Sequence, residues 1–134
     1  MQSKIVSDYF INEYFLIHKE YTKEALISEF LKFITNIFDY EFKDTNLLFE
    51  AFTHKSFAHE VKVDLTNNEK LEFLGDSVLQ IVISEEIYKR YSMLDEGSLS
   101  KLRSAIVNEN TLAEIGSFYQ IKNFLLVGKG ELKN

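Results

Sequence analysis

Apolar residues return every three or four positions along most of this chain, the spacing of an amphipathic helix. The clearest run is residues 23–38, where Ile27, Phe30, Leu31, Ile34, Ile37 and Phe38 share a face and Thr22 can cap the start. Before it, residues 3–18 carry Ile5, Val6, Tyr9, Phe10, Ile11, Tyr14, Phe15 and Ile17. That run is helix-like but heavy in aromatics, and a strand fits it too. Residues 39–43 read as a loop, after which Asp44 is predicted to cap a helix through Leu47, Leu48, Ala51 and Phe52. Thr53-His54-Lys55-Ser56 ends that helix, and residues 57–67 form a polar connection. A long helix is predicted from about Glu69 to Tyr91, followed by a turn at Asp95-Glu96-Gly97. Ser98 is predicted to cap a helix to about Val107, and Thr111 with Glu114 to form a capping box opening a short one. Mixed apolar residues follow from Phe118 to Val127, and Gly128 and Gly130 loosen the end. The pattern predicts an all-α bundle with short loops.

The long helix is the unusual one. Glu69, Glu72 and Asp76 are spaced by three and four, so a helix stacks them on one face. Leu71, Leu74, Val78 and Leu79 form an apolar face beside them, and Val78-Leu79-Gln80-Ile81-Val82-Ile83 is apolar nearly all round. Such a helix is expected to be central and buried. Gly75 inside it costs about 1 kcal/mol against Ala, which suggests close approach of another element to the backbone. Most acid pairs one turn apart are solvated surface. Here repelling acids beside a buried face call for a cation among them, and oxygen-rich clusters suit Mg²⁺ or Mn²⁺. Two such ions can activate a water and stabilise a leaving oxyanion in phosphodiester hydrolysis. Gln80, one turn beyond Asp76, fits support for such a site or a plain core hydrogen bond.

Composition narrows the class. The 134 residues are enough for one domain, and 46% hydrophobic content excludes a disordered chain. There is no cysteine and no proline, which excludes a disulfide scaffold, fits a reducing cytoplasm and favours long helices. No apolar run is long enough to span a membrane, and the N-terminus lacks signal-peptide regions. The net charge of −6 argues against strong phosphate binding by the whole surface. Lys89, Arg90, Lys101, Arg103, Lys122, Lys129 and Lys133 could still form a basic patch. A histidine between hydroxyls at Thr53-His54-Lys55-Ser56 invites a nucleophilic triad. No third member is marked out, so a hydrogen-bonded structural role is expected.

Several blocks together carry a family resemblance. Asn68-Glu69-x-Leu71-Glu72-Phe73-Leu74-Gly75-Asp76-Ser77 resembles the signature of the ribonuclease III family, endonucleases acting on double-stranded RNA. Ala51-Phe52-Thr53-His54-Lys55-Ser56 resembles an upstream block of that family. Asp95-Glu96-Gly97-x-Leu99-Ser100-x-Leu102-Arg103, Val107-Asn108-x-Asn110-Thr111-Leu112-Ala113 and Gly128-x-Gly130-Glu131 resemble later ones. The resemblance covers roughly Leu31 to Asn134.

It implies a ribonuclease III-type helical endonuclease domain over 26–134, with residues 1–25 an extension of unknown role. Glu72 and Asp76 match metal ligands, holding Mg²⁺ or Mn²⁺ for hydrolysis of an RNA duplex. Glu69 and Glu96 match acids near the site or the dimer interface. Phe73, whose neighbours alone suggest core packing, matches an aromatic that plugs into the second subunit of a homodimer. Lys101 and Arg103 are candidate contacts to the RNA backbone, since an A-form duplex is read through phosphate, sugar and shape. The family's domain continues into helices bearing an Asp and a Glu that complete the metal site, and a double-stranded RNA-binding domain usually follows. Neither is in this sequence. The chain is therefore expected to be C-terminally incomplete, with about half a metal cage and apolar surface left bare. Two functions stay open: a metal-dependent endoribonuclease of the cytoplasm, or a non-catalytic ribonuclease III-like module for dimerisation or RNA binding.

Overall fold

A computed structural model describes residues 23–60 and 65–131. The run at 3–18 and the Thr22 cap lie outside them. Six helices follow in order: α1 (Lys23–Phe38), α2 (Thr45–Ala51), α3 (Lys55–Glu60), α4 (Glu69–Arg90), α5 (Glu96–Ile106) and α6 (Glu109–Phe118). A 3₁₀ turn at Ile121–Phe124 comes last. Among the described residues there is no strand, only an isolated parallel bridge between Thr53 and Leu126. The fold is all-α, as the periodicity predicts, but α3 begins at Lys55 inside the Thr53–Ser56 block and runs into the predicted polar connection.

The caps explain where the helices start. Asp44 accepts from the backbone N–H groups of Asn46 (2.9 Å) and Leu47 (3.4 Å), as expected. The next two starts fall earlier than predicted. Asp95, not Ser98, caps α5, its carboxylate accepting the Ser98 N–H at 2.7 Å, so Glu96 and Gly97 are helical rather than a turn. The Ser98 hydroxyl and N–H together hold the Asp95 carboxyl below its ordinary 3.8. Asn108, not Thr111, caps α6 by accepting the Thr111 N–H at 3.0 Å. Asn ranks above Thr at this position, and the earlier side chain takes the N–H.

Among the described residues, those up to Leu71, with those from Gln120 onward, pack as one compact unit; Glu72–Tyr119 form a second. The core of the first unit is aromatic. Phe30 of α1 stacks on Phe52 at 4.7 Å between ring centroids, and Phe33 on Phe124 at 3.9 Å. Leu26, Leu48, Phe49, Phe57 and Leu126 complete the cluster. The buried face of α1 is therefore Leu26, Phe30 and Phe33, while Ile34 and Ile37 are half-buried and Phe38 is exposed. The helix has turned from its predicted face because ring packing against α2 and the 121–126 segment selects the larger aromatics.

The Thr53–Ser56 block is structural. The buried Thr53 hydroxyl donates to the Phe49 carbonyl at 2.7 Å. The His54 N–H donates to the Leu126 carbonyl at 2.9 Å, and the Leu126 N–H to the Phe52 carbonyl at 2.8 Å. His54 Nδ1 accepts the Ser56 N–H at 3.2 Å and lies 2.7 Å from the Ser56 hydroxyl. That hydroxyl oxygen in turn accepts the Gly128 N–H at 2.8 Å. Among the described residues no acid is hydrogen-bonded to the His54 ring, so a triad has no third member. The Glu60 carboxylate extends the clasp, accepting the N–H groups of Lys129 (2.9 Å) and Gly130 (3.5 Å). Gly128 is crowded at this crossing: a Cβ there would stand 2.4 Å from Glu60 Oε1, at the end of a flexible side chain, and 3.0 Å from the Ser56 carbonyl oxygen, which is backbone. Gly128→Ala is expected to cost about 1–3 kcal/mol in urea denaturation. Adding Glu60→Ala should return part of that loss by vacating the worst contact. A single variant as stable as the parent would show that the crossing yields freely.

The second unit departs most from expectation. The helix predicted to be central buries only Ile87. Phe73 is 81% exposed, Ile81 68% and Tyr88 71%. A Cβ built at Gly75 meets nothing within 4 Å, so no element among the described residues approaches the backbone there. Periodicity reports that a face is apolar, not what covers it, and nothing among the described residues covers this one.

Candidate metal and RNA site

Glu72 and Asp76 stand one turn apart on α4, both exposed. Their helix carries an unbroken hydrogen-bonded backbone, so the spacing of the two carboxylates is rigidly set. Gln80 and Ser84 continue the same row at intervals of four. Two exposed carboxylates fit a hard dication that keeps much of its water. They do not enclose one. Among the described residues no group of three or more His, Cys, Asp or Glu could hold a metal ion.

The two accessory acids are placed elsewhere. Glu69, in the first turn of α4, pairs with Lys55 at 3.0 Å. Glu96 accepts from its own helix, the Ser100 hydroxyl donating at 2.8 Å. The α4–α5 register shows how far Glu96 is from the pair. Arg103 Nη1 donates to Ser84 Oγ at 3.0 Å, and Tyr88 and Leu99 line one shallow pocket. As the α4 position rises by four, the α5 position falls by four, so the helices run antiparallel. Asp76 lies two turns before Ser84, whereas Glu96 lies two turns beyond the Arg103 contact in the other direction. At 1.5 Å per residue this puts Glu96 about 20 Å along the hairpin from Asp76. Within this chain α5 does not bring Glu96 to the pair.

The predicted basic patch is partly spent. Lys89 pairs with Glu85 at 2.7 Å and Arg90 with Glu86, each within one turn of α4. Arg103 is half-buried against Ser84, while Lys101 is exposed. Lys133 lies outside the described residues. Sequence reasoning missed Ser84 and Glu60; the only available signal for Ser84 was its spacing of eight from Asp76. No helix among the described residues is long and apolar enough to cross a membrane.

Comparison with known proteins places this geometry in context. A family model described as Ribonuclease-III-like matches residues 44–134. The chain is similar to Ribonuclease 3 of Caldanaerobacter subterraneus subsp. tengcongensis, with 52% identity over 101 residues, covering 75% of this chain and 44% of that protein. It is similar to Ribonuclease 3 of Streptococcus pneumoniae strain P1031, with 50% identity over 102 residues and the same two coverages. The chain thus spans under half the length of these curated relatives. Among solved structures it resembles the nuclease domain of ribonuclease III from Campylobacter jejuni, with a TM-score of 0.69 and 42% identity over 78% of this chain and 69% of that one. That structure is described as flexible in a region involved in dimer formation. With more than half of its residues matched and two thirds of a solved nuclease domain covered at this identity, the chain belongs to the ribonuclease III family.

Proposed function

We propose that the protein is a divalent-metal-dependent endoribonuclease that hydrolyses double-stranded RNA in the cytoplasm and works as a homodimer. The observation that carries this is the exposed Glu72–Asp76 pair on one rigid helix, in a chain of this family. Glu72 and Asp76 are the residues that would hold Mg²⁺ or Mn²⁺. When bound, the cation supplies Lewis-acid polarisation of a phosphoryl oxygen. Lys101, exposed on α5, binds backbone phosphate. The endonuclease domain begins near residue 26, because Leu26 and Phe30 share a core with residues inside the matched region. Residues 1–25 are an extension without an assigned role.

The deciding experiment is cleavage of a long RNA duplex by the purified chain with Mg²⁺ and with EDTA. Cleavage that needs the metal supports the reading. A folded chain that binds duplex RNA without cutting it supports the second reading, a non-catalytic module.

Phe73 is the dimer anchor in this proposal. At 81% exposure it is not a core residue of the chain, and a buried aromatic is a common anchor of interfaces. Phe73→Ala is expected to raise the dimer dissociation constant at least about thirtyfold in sedimentation equilibrium, from loss of about 2 kcal/mol or more. An unchanged dimer would refute the assignment.

A further inference from the structure

We infer that Arg103 is a positioning residue, not a contact to RNA. It acts through Ser84 to set the register of α5 against the row that bears Glu72 and Asp76. The inference rests on the endonuclease reading and divides labour between two residues that the sequence leaves equivalent. Ser84 Oγ donates to the Gln80 carbonyl at 2.6 Å, so its proton is committed and its lone pairs are free. Arg103 Nη1 takes one of them at 3.0 Å. Among the described residues this is the one side-chain hydrogen bond joining α4 and α5, which makes it the specific lock on their register. The other α4–α5 meeting place, the pocket lined by Tyr88, Lys89 and Leu99, is of mixed polarity.

Helix geometry sets the direction of the neighbouring cation. Lys101 lies two positions before Arg103, about 200° round the helix axis. With Arg103 turned onto α4, Lys101 points outward and is exposed. Arg103 inward and Lys101 outward are therefore one arrangement, and removing the lock frees both helices to shift. Ser84 engages one of the five guanidinium N–H groups, and Arg103 is half-buried against α4 while Lys101 is exposed, so the geometry favours Lys101 for phosphate.

The test compares Arg103→Gln, Ser84→Ala, their double variant, Arg103→Lys and Lys101→Gln in the full polypeptide, each checked as folded by circular dichroism. Steady-state cleavage of an RNA duplex at saturating Mg²⁺ and the salt dependence of duplex binding are the readouts. Positioning predicts that Arg103→Gln and Ser84→Ala each lower kcat about tenfold with KM unchanged, the loss expected of one charge-assisted hydrogen bond. The double variant should lose no more than either single, and Arg103→Lys, which keeps a donor, should recover part of kcat. Only Lys101→Gln should raise KM and flatten the salt slope, by about one. A flatter slope in Arg103→Gln, with Ser84→Ala silent, overturns the inference in favour of a phosphate contact. Lower unfolding midpoints with kcat unchanged overturn it in favour of a merely structural bond. Wild-type protein that neither binds nor cleaves the duplex defeats the endonuclease reading itself, and this inference with it.

Discussion

Asp76→Asn is expected to reduce Mg²⁺-dependent cleavage of duplex RNA by on the order of 10³-fold while leaving duplex binding unchanged. The argument is electrostatic. Asn keeps the size and one oxygen of Asp but removes the charge that compensates a hard dication. A metal's stabilisation of phosphoryl-transfer charge amounts to several kcal/mol, and each 1.36 kcal/mol is tenfold in rate. RNA binding rests on phosphate contacts from cations, which this substitution does not touch. Glu72→Gln should behave alike, since both carboxylates are exposed and lie one turn apart. Turnover within a few-fold of wild type in either variant would remove the metal assignment. Wild-type rates recovered at much higher Mg²⁺ would instead show that the lost carboxylate contributes affinity rather than chemistry.

Phe30→Ala should cause the largest loss of stability of any single truncation considered, about 3–5 kcal/mol in urea denaturation. Phe30 is fully buried and is the hub of the aromatic cluster, stacked on Phe52 at 4.7 Å and meeting Phe49 and Phe124 at 6.2 and 6.4 Å. Removing the ring opens a void between α1, α2 and the 3₁₀ turn, which cannot all close on it. The position also tests where the domain begins. Phe30 precedes the 44–134 region matched by the family model, yet it packs on residues within that region. Phe38→Ala on the same helix, at a site 46% exposed, should stay within about 0.5 kcal/mol of the parent. A Phe30→Ala loss below about 1 kcal/mol would mean that α1 is an appendage rather than part of the core.

Much of the apolar surface of the second unit remains bare in the chain. Phe73, Leu74, Val78, Ile81 and Val82 of α4 are all more than half exposed. Soluble monomers rarely leave so much apolar surface uncovered. The proposed homodimer gives that surface a role, and Phe73 is the residue on which the role can be measured.

Local chemistry was enough to read most of the secondary structure. Helix period located α1, α2, α4, α5 and α6, and Asp44 was legible as a cap because an Asx side chain before an apolar run satisfies N–H groups within three residues of itself. The Glu72–Asp76 pair was legible for the same reason: a spacing of four on a helix is a statement about space. What depended on distant residues was not legible. The buried face of α1 turned to Leu26, Phe30 and Phe33 because the rings of Phe52 and Phe124, far along the chain, decide which side is filled. Gly128 is crowded only because Glu60 and Ser56, about 70 positions earlier, cross it. Arg103 and Lys101 look alike as basic residues two apart, and only the meeting of Arg103 with Ser84 separates them. By itself the sequence determined helix content, the Asp44 cap and the carboxylate pair, because these arise within one or two turns. The tertiary structure decided which face is buried, which glycine is crowded and which cation meets Ser84, because each requires contacts that no local spacing encodes.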